Sequence, residues 1–80
     1  MNTIIIRKVW LADNVIFAEI LIDIGGLQLY ATVCISVDNE IRIESIDSKP
    51  PLDDCLACLA YLNASSSFTA SKIRREAHNL

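Results

Sequence analysis

The stretch VIFAEILIDIGGLQLYATVCISV, residues 15–37, decides the fold. Ile16, Ala18, Ile20, Ile22 and Ile24 place an apolar side chain at every even position. After the two glycines the parity changes, and Leu27, Leu29, Ala31, Val33, Ile35 and Val37 are apolar at every odd one. Period-two alternation of this length reads as two strands, because successive side chains point to opposite faces of a sheet. Gly25-Gly26 suits a two-residue reversal, which needs positive φ at its centre. A tight turn there sets Ile24 opposite Leu27, Ile22 opposite Leu29, Ile20 opposite Ala31, Ala18 opposite Val33 and Ile16 opposite Ile35. Every pair is apolar, so turn geometry and binary pattern agree. A slip of one residue would send the whole aliphatic set into water.

The other face of the same hairpin pairs Asp23 with Gln28, Leu21 with Tyr30, Glu19 with Thr32, Phe17 with Cys34 and Val15 with Ser36. Acids there sit beside Phe17, Leu21 and Tyr30. Such a half-apolar surface is the expected docking face.

Outward from the hairpin, residues 3–11 read as a first strand rich in Ile, Val and Trp. Its parity is ambiguous, since Ile4, Ile6 and Trp10 compete with Ile5, Val9 and Leu11. Ala12-Asp13-Asn14 is expected to turn the chain. Residues 40–46 read as a fourth strand with Ile41 and Ile43 on the apolar side. An odd loop, Val37-Asp38-Asn39, keeps that parity if Asn39 takes the left-handed position of a bulged turn. Ile35 then faces Ile41 and Val33 faces Ile43.

One aliphatic sheet face needs a cover, and the second half of the chain supplies it. Lys49-Pro50-Pro51 ends the sheet. Pro51 at the first helical position, with Asp53 and Asp54 behind it, is a helix start. Leu52, Cys55, Leu56, Leu59 and Leu62 make one helical stripe. Residues 63–67, Asn-Ala-Ser-Ser-Ser, are expected to break this helix and cap the next. A weaker helix over residues 69–78 carries the stripe Ala70, Ile73, Ala77 and Leu80, with Phe68 anchoring its start. The expected fold class is therefore α+β: a four-stranded antiparallel β-meander, then two short α-helices packed on one face.

Eighty residues, 52% of them hydrophobic, suit one small globular domain spanning residues 1–80. No apolar run is long enough for a bilayer, and Arg7 and Lys8 follow Ile4, Ile5 and Ile6 instead of preceding them. Neither a membrane span nor a signal peptide is expected, and the cytoplasm is the default. Residues 1–64 carry nine acids against four bases, while residues 65–80 carry three bases against one acid. An acidic body argues against a whole-surface nucleic-acid binder.

Motifs for chemistry are few. Cys55-Leu56-Ala57-Cys58 has CxxC spacing, but Cys55 belongs to the apolar stripe instead of an exposed helix N-terminus, where a thiolate is stabilised. Cys34, Cys55, Cys58 and His78 could supply a four-ligand zinc set, yet Cys34 lies on the face opposite Cys55. Glu19 and Asp23 share a face but stand about 13 Å apart along a strand, too far to act as an acid–base pair. His78, the only histidine, lies near a chain end. No catalytic residue, cofactor site or metal site is assigned. Lys72, Arg74 and Arg75 form the one basic cluster, with Arg74 turned away toward His78.

In length and element order the chain resembles some small phage-encoded inhibitors, including certain anti-CRISPR proteins. The resemblance implies a non-enzymatic module, an inhibitor or adaptor, that docks on a larger protein. From the residues, the anchors of that docking are Trp10, Phe17, Leu21 and Tyr30, since aromatic residues dominate interface hot spots. Glu19, Asp23 and Glu44 add electrostatic matching. The alternatives are a nucleic-acid-binding protein working through Lys72, Arg74 and Arg75, or a small homodimeric structural subunit.

Overall fold

A computed structural model describes residues 1–47 and 49–80. Four strands, β1 (Asn2–Ala12), β2 (Val15–Ile24), β3 (Leu27–Ile35) and β4 (Ile41–Ile46), precede two helices, α1 (Leu52–Ala64) and α2 (Ser66–Ala77). The strands form one antiparallel sheet in the order β1-β2-β3-β4.

The glycine reversal sets the predicted register: Ile24 faces Leu27, Ile22 faces Leu29, Ile20 faces Ala31, Ala18 faces Val33 and Ile16 faces Ile35. Gly25 and Gly26 both have positive φ, as a type I′ turn requires. Asp13 and Asn14 do the same between β1 and β2, so that turn is two residues long and Ala12 stays paired with Val15. At the next hairpin Asn39 takes φ +61. Its N–H donates to the Ser36 carbonyl at 3.1 Å, and the Ser36 N–H donates to the Glu40 carbonyl at 2.9 Å. This is the bulged three-residue loop expected from the parity argument, and Ile35 and Val33 face Ile41 and Ile43.

Both edge strands contain a bulge that the alternation does not resolve. In β1 Ile6 pairs with Ile20 but Lys8 with Glu19, which leaves Arg7 as the extra residue. The inserted residue flips the parity. Ile4 and Ile6 before it, and Val9 after it, therefore all pack against the core. Neither of the two competing parities holds along the whole strand. In β4 Val33 pairs with Ile43 but Thr32 with Ser45, which makes Glu44 the extra residue.

Both helices cover the aliphatic face, α1 over β2 and β3 and α2 over β1 and β2. Ile20, Ile22, Leu29, Val33, Cys58, Ala70 and Ile73 are sealed between the layers. Several expectations for the helices are corrected. Pro51 is the cap residue of α1, one position before its first helical residue. The buried arc of α1 is Cys55, Cys58 and Leu62, with Leu59 at its border. Leu52 and Leu56 are 72% and 54% exposed. Small thiol side chains bring the helix close to the sheet, and the Cys58 thiol lies 3.9 Å from the Leu27 carbonyl.

The expected five-residue break shrinks to Ser65, and no side chain caps α2. Ser66 and Ser67 join its first turn, where backbone N–H groups lack helical partners in any case. Phe68 does not anchor α2; it is 74% exposed, and Thr69 and Ala70 face the sheet in its place. Leu80 lies beyond the helix and is exposed, so the stripe ends at Ala77, half-buried. Tyr61 ties α1 to β1 by donating its hydroxyl to the Asn2 carbonyl at 3.2 Å.

Candidate functional site

The sheet face away from the helices is assembled in rows across the strands. One row runs Trp10, Phe17, Cys34, Arg42; the next Lys8, Glu19, Thr32, Ser45; the next Ile5, Leu21, Tyr30; and the last Thr3, Asp23, Gln28. Trp10, Phe17, Glu19, Leu21 and Asp23 are half-buried, and Tyr30 is exposed. Five of the seven expected interface residues thus lie in three adjacent rows on β1, β2 and β3. Asp23 occupies the outer row, and Glu44 sits at the β4 edge.

Aromatic rings set the texture of this face. Trp10 stacks on Phe17 with ring centres 5.8 Å apart and planes 11° from parallel. The Lys8 ammonium lies 5.4 Å from the Trp10 ring, and the Arg7 guanidinium 5.0 Å from the Tyr30 ring. Cations over aromatic faces are attracted by the ring quadrupole and hold those rings in place. Arg7, Lys8 and Ile5 were absent from the expected site. The signal for Arg7 was present in the sequence as the parity conflict of the first strand, which a bulge resolves.

The acidic residues differ in how far they are committed. The Asp23 carboxylate accepts from the Gly26 N–H and from the Gln28 amide, each at 3.0 Å. The Gln28 bond, then the Gly26 bond, hold its carboxyl below the ordinary carboxylate value. Its first role is to fasten the hairpin turn. Glu44 accepts from the Cys34 thiol at 3.2 Å, which the β4 bulge makes possible by turning an extra side chain toward β3. Burial and then the Glu44 carboxylate push the Cys34 thiol up. Glu19 stands between Lys8 and Thr32 in the middle row.

The chain gives no significant match to a known family model, to a characterised protein or to a solved structure.

The remaining chemistry-bearing residues are scattered. Cys34 is on the open face, whereas Cys55 and Cys58 lie in the core between the layers, and His78 is exposed after α2. Burial pushes the Cys58 thiol up, so it stays protonated and unreactive at neutral pH. Among the described residues no three His, Cys, Asp or Glu side chains gather into a metal-sized cluster. Lys72 and Arg75 are exposed on α2. Arg74 is half-buried and turned toward the sheet. Its guanidinium donates to the Ser36 carbonyl at 2.8 Å and to the Asn39 side-chain oxygen at 2.7 Å. It clamps α2 onto the β3–β4 turn, a contact that sequence spacing could not reveal because 35 residues separate the partners. Among the described residues no helix is long and apolar enough to cross a membrane.

Proposed function

We propose that this chain is a non-enzymatic protein-binding module, a small inhibitor or adaptor, that docks the open sheet face on a larger protein. A phage-type inhibitor of the anti-CRISPR kind is one concrete form of this reading. The observation that carries it is the composition of that face. Trp10, Phe17, Leu21 and Tyr30, with Ile5 beside them, form a band that the helices leave uncovered. Rigid aromatic rings on paired strands offer contact area at little entropic cost. Glu19 in the centre and Glu44 at the edge call for basic groups on the partner, while Arg7 and Lys8 on the β1 side call for acidic ones.

The nucleic-acid reading has less support, since Arg74 is engaged by Ser36 and Asn39 and leaves only Lys72 and Arg75 exposed on that helix. Affinity purification of the tagged chain from its native host, repeated with Tyr30→Ala and Leu21→Asp, tests the proposal. A stoichiometric protein partner lost with both folded variants supports it. A partner retained by both overturns it.

A further inference from the structure

A second surface lies on the opposite side of the sheet. There Ile43 and Ile46 on edge strand β4 are 43% and 38% exposed although they point to the helix layer. The reason is that α1 sits over β2 and β3 and stops short of the edge. Leu59 borders a groove of about 120 Å³ with Ile41 and Ile43. Leu62 lines the same groove from α1 and completes an apolar shelf. The helical stripe read in the sequence thus divides: Cys55 and Leu62 close the core, Leu59 borders the groove beside β4, and Leu52 and Leu56 are exposed.

The edge also offers main-chain groups in a defined pattern. Ser36 donates to Glu40, so residues 40 and 42 turn their N–H and C=O toward β3. By the alternation of an antiparallel ladder, Ile41 and Ile43 turn theirs outward. An antiparallel strand centred on Ile43 meets these groups and lies on the shelf. Strand addition of this kind takes affinity from the backbone and selectivity from alternate side chains.

We propose that the occupant is a second copy of this chain, paired β4 to β4 about a two-fold axis at Ile43. Charge decides for the second copy. In that register Arg42 of each protomer stands opposite Glu44 of its partner, so two ion pairs close the interface from one strand sequence. Ile43 meets its own copy on the helix side. The Glu44 bulge turns Ser45 back toward Thr32, so main-chain pairing is confined to the two Ile43 residues, flanked by the Arg42–Glu44 contacts. The interface is small and reversible, of the size class of transient contacts. Because the axis is perpendicular to the sheet, both open faces remain uncovered and point the same way. The dimer does not need the docking reading above, although it takes Glu44 from that face; if both hold, docking uses Trp10, Phe17, Glu19, Leu21 and Tyr30 and the assembly is bivalent.

Sedimentation of the full chain over a concentration series tests this. The expected result is a shift from 8.9 kDa toward twice that mass as concentration passes through roughly the micromolar range. Arg42→Glu and Glu44→Arg each set like charges opposite one another and weaken self-association by about tenfold or more. Mixed together, the two variants restore complementary charges at both ends and form a heterodimer. Amide exchange on the unaltered chain gives a second readout that needs no variant, with the Ile43 N–H protected at high concentration and exposed at low. A chain that stays monomeric into the millimolar range overturns the proposal. So does a dimer indifferent to Arg42→Glu, or one whose Ile43 N–H exchanges freely.

Discussion

The two faces of this sheet are cut from alternate residues of the same strands, yet they have opposite characters. On the helix side, Ala18, Ile20, Ile22, Leu29 and Val33 are at most 1% exposed and carry no polar side-chain atom. On the other side, aromatic rings stack on each other and lie beneath cations, with carboxylates interspersed. Burial of aliphatic surface is non-directional and makes one side the source of stability. Rings and charges are directional, and they make the other side suited to recognition. The difference teaches that substitutions on the two faces should separate stability from binding.

The largest effect should come from the closed face. Ile20→Ala leaves a cavity between the layers and costs about 2–5 kcal/mol. In a domain of this size that lowers the thermal midpoint by roughly 10 °C or more, readable by circular dichroism. On the open face, Tyr30→Ala reverses the pattern. Partner affinity falls by about 2 kcal/mol or more, while the loss of the Arg7 contact and of the cross-strand pair with Leu21 lowers the midpoint by less than Ile20→Ala does. If Tyr30→Ala unfolds the chain, or Ile20→Ala does not destabilise it, the division between faces is broken.

A contact joining the helix layer to a sheet turn should give a smaller change. Arg74→Ala removes two hydrogen bonds to the β3–β4 turn and costs about 1–2 kcal/mol in urea unfolding. It should leave partner binding unchanged, since the clamp lies away from the open face. Asp23→Asn should give the smallest effect, present at neutral pH and vanishing in acid. The folded-state carboxyl is held below its ordinary value, so its contribution to stability is present above that value and is lost as pH falls through the lowered one. The variant is therefore slightly less stable than the parent at neutral pH, and the difference closes as pH falls through the lowered value, which flattens that part of the acid limb.

The sequence made the β2–β3 hairpin legible to the residue, because a glycine turn and an aliphatic alternation constrain the same register. It also carried the β3–β4 loop, where parity required Asn39 in a left-handed conformation and the structure has it there. The edges were less legible. A bulge reverses parity without changing composition, so residues 3–11 show two conflicting parities but not the position of the bulge that puts Arg7 and Ile5 on the open face. The helices were placed correctly, but their burial was not. Which side of α1 meets the sheet depends on how far the helix reaches across it, and hydrophobicity alone favours Leu52 and Leu56 over Cys58. Arg74 was misplaced for a related reason, since its partners Ser36 and Asn39 lie far away in the chain. Four of the expected anchors lie side by side on the open face, because the hairpin register alone brings Phe17, Leu21 and Tyr30 together and the β1 bulge swings Trp10 onto Phe17.

Trp10 is the single tryptophan of the chain and lies on the proposed docking face. Acrylamide quenching of its fluorescence, with and without the captured partner protein, therefore tests the central claim directly. Docking through the open face predicts that quenching falls sharply on binding. Quenching unchanged in a complex formed at full stoichiometry would place the partner elsewhere and contradict the account.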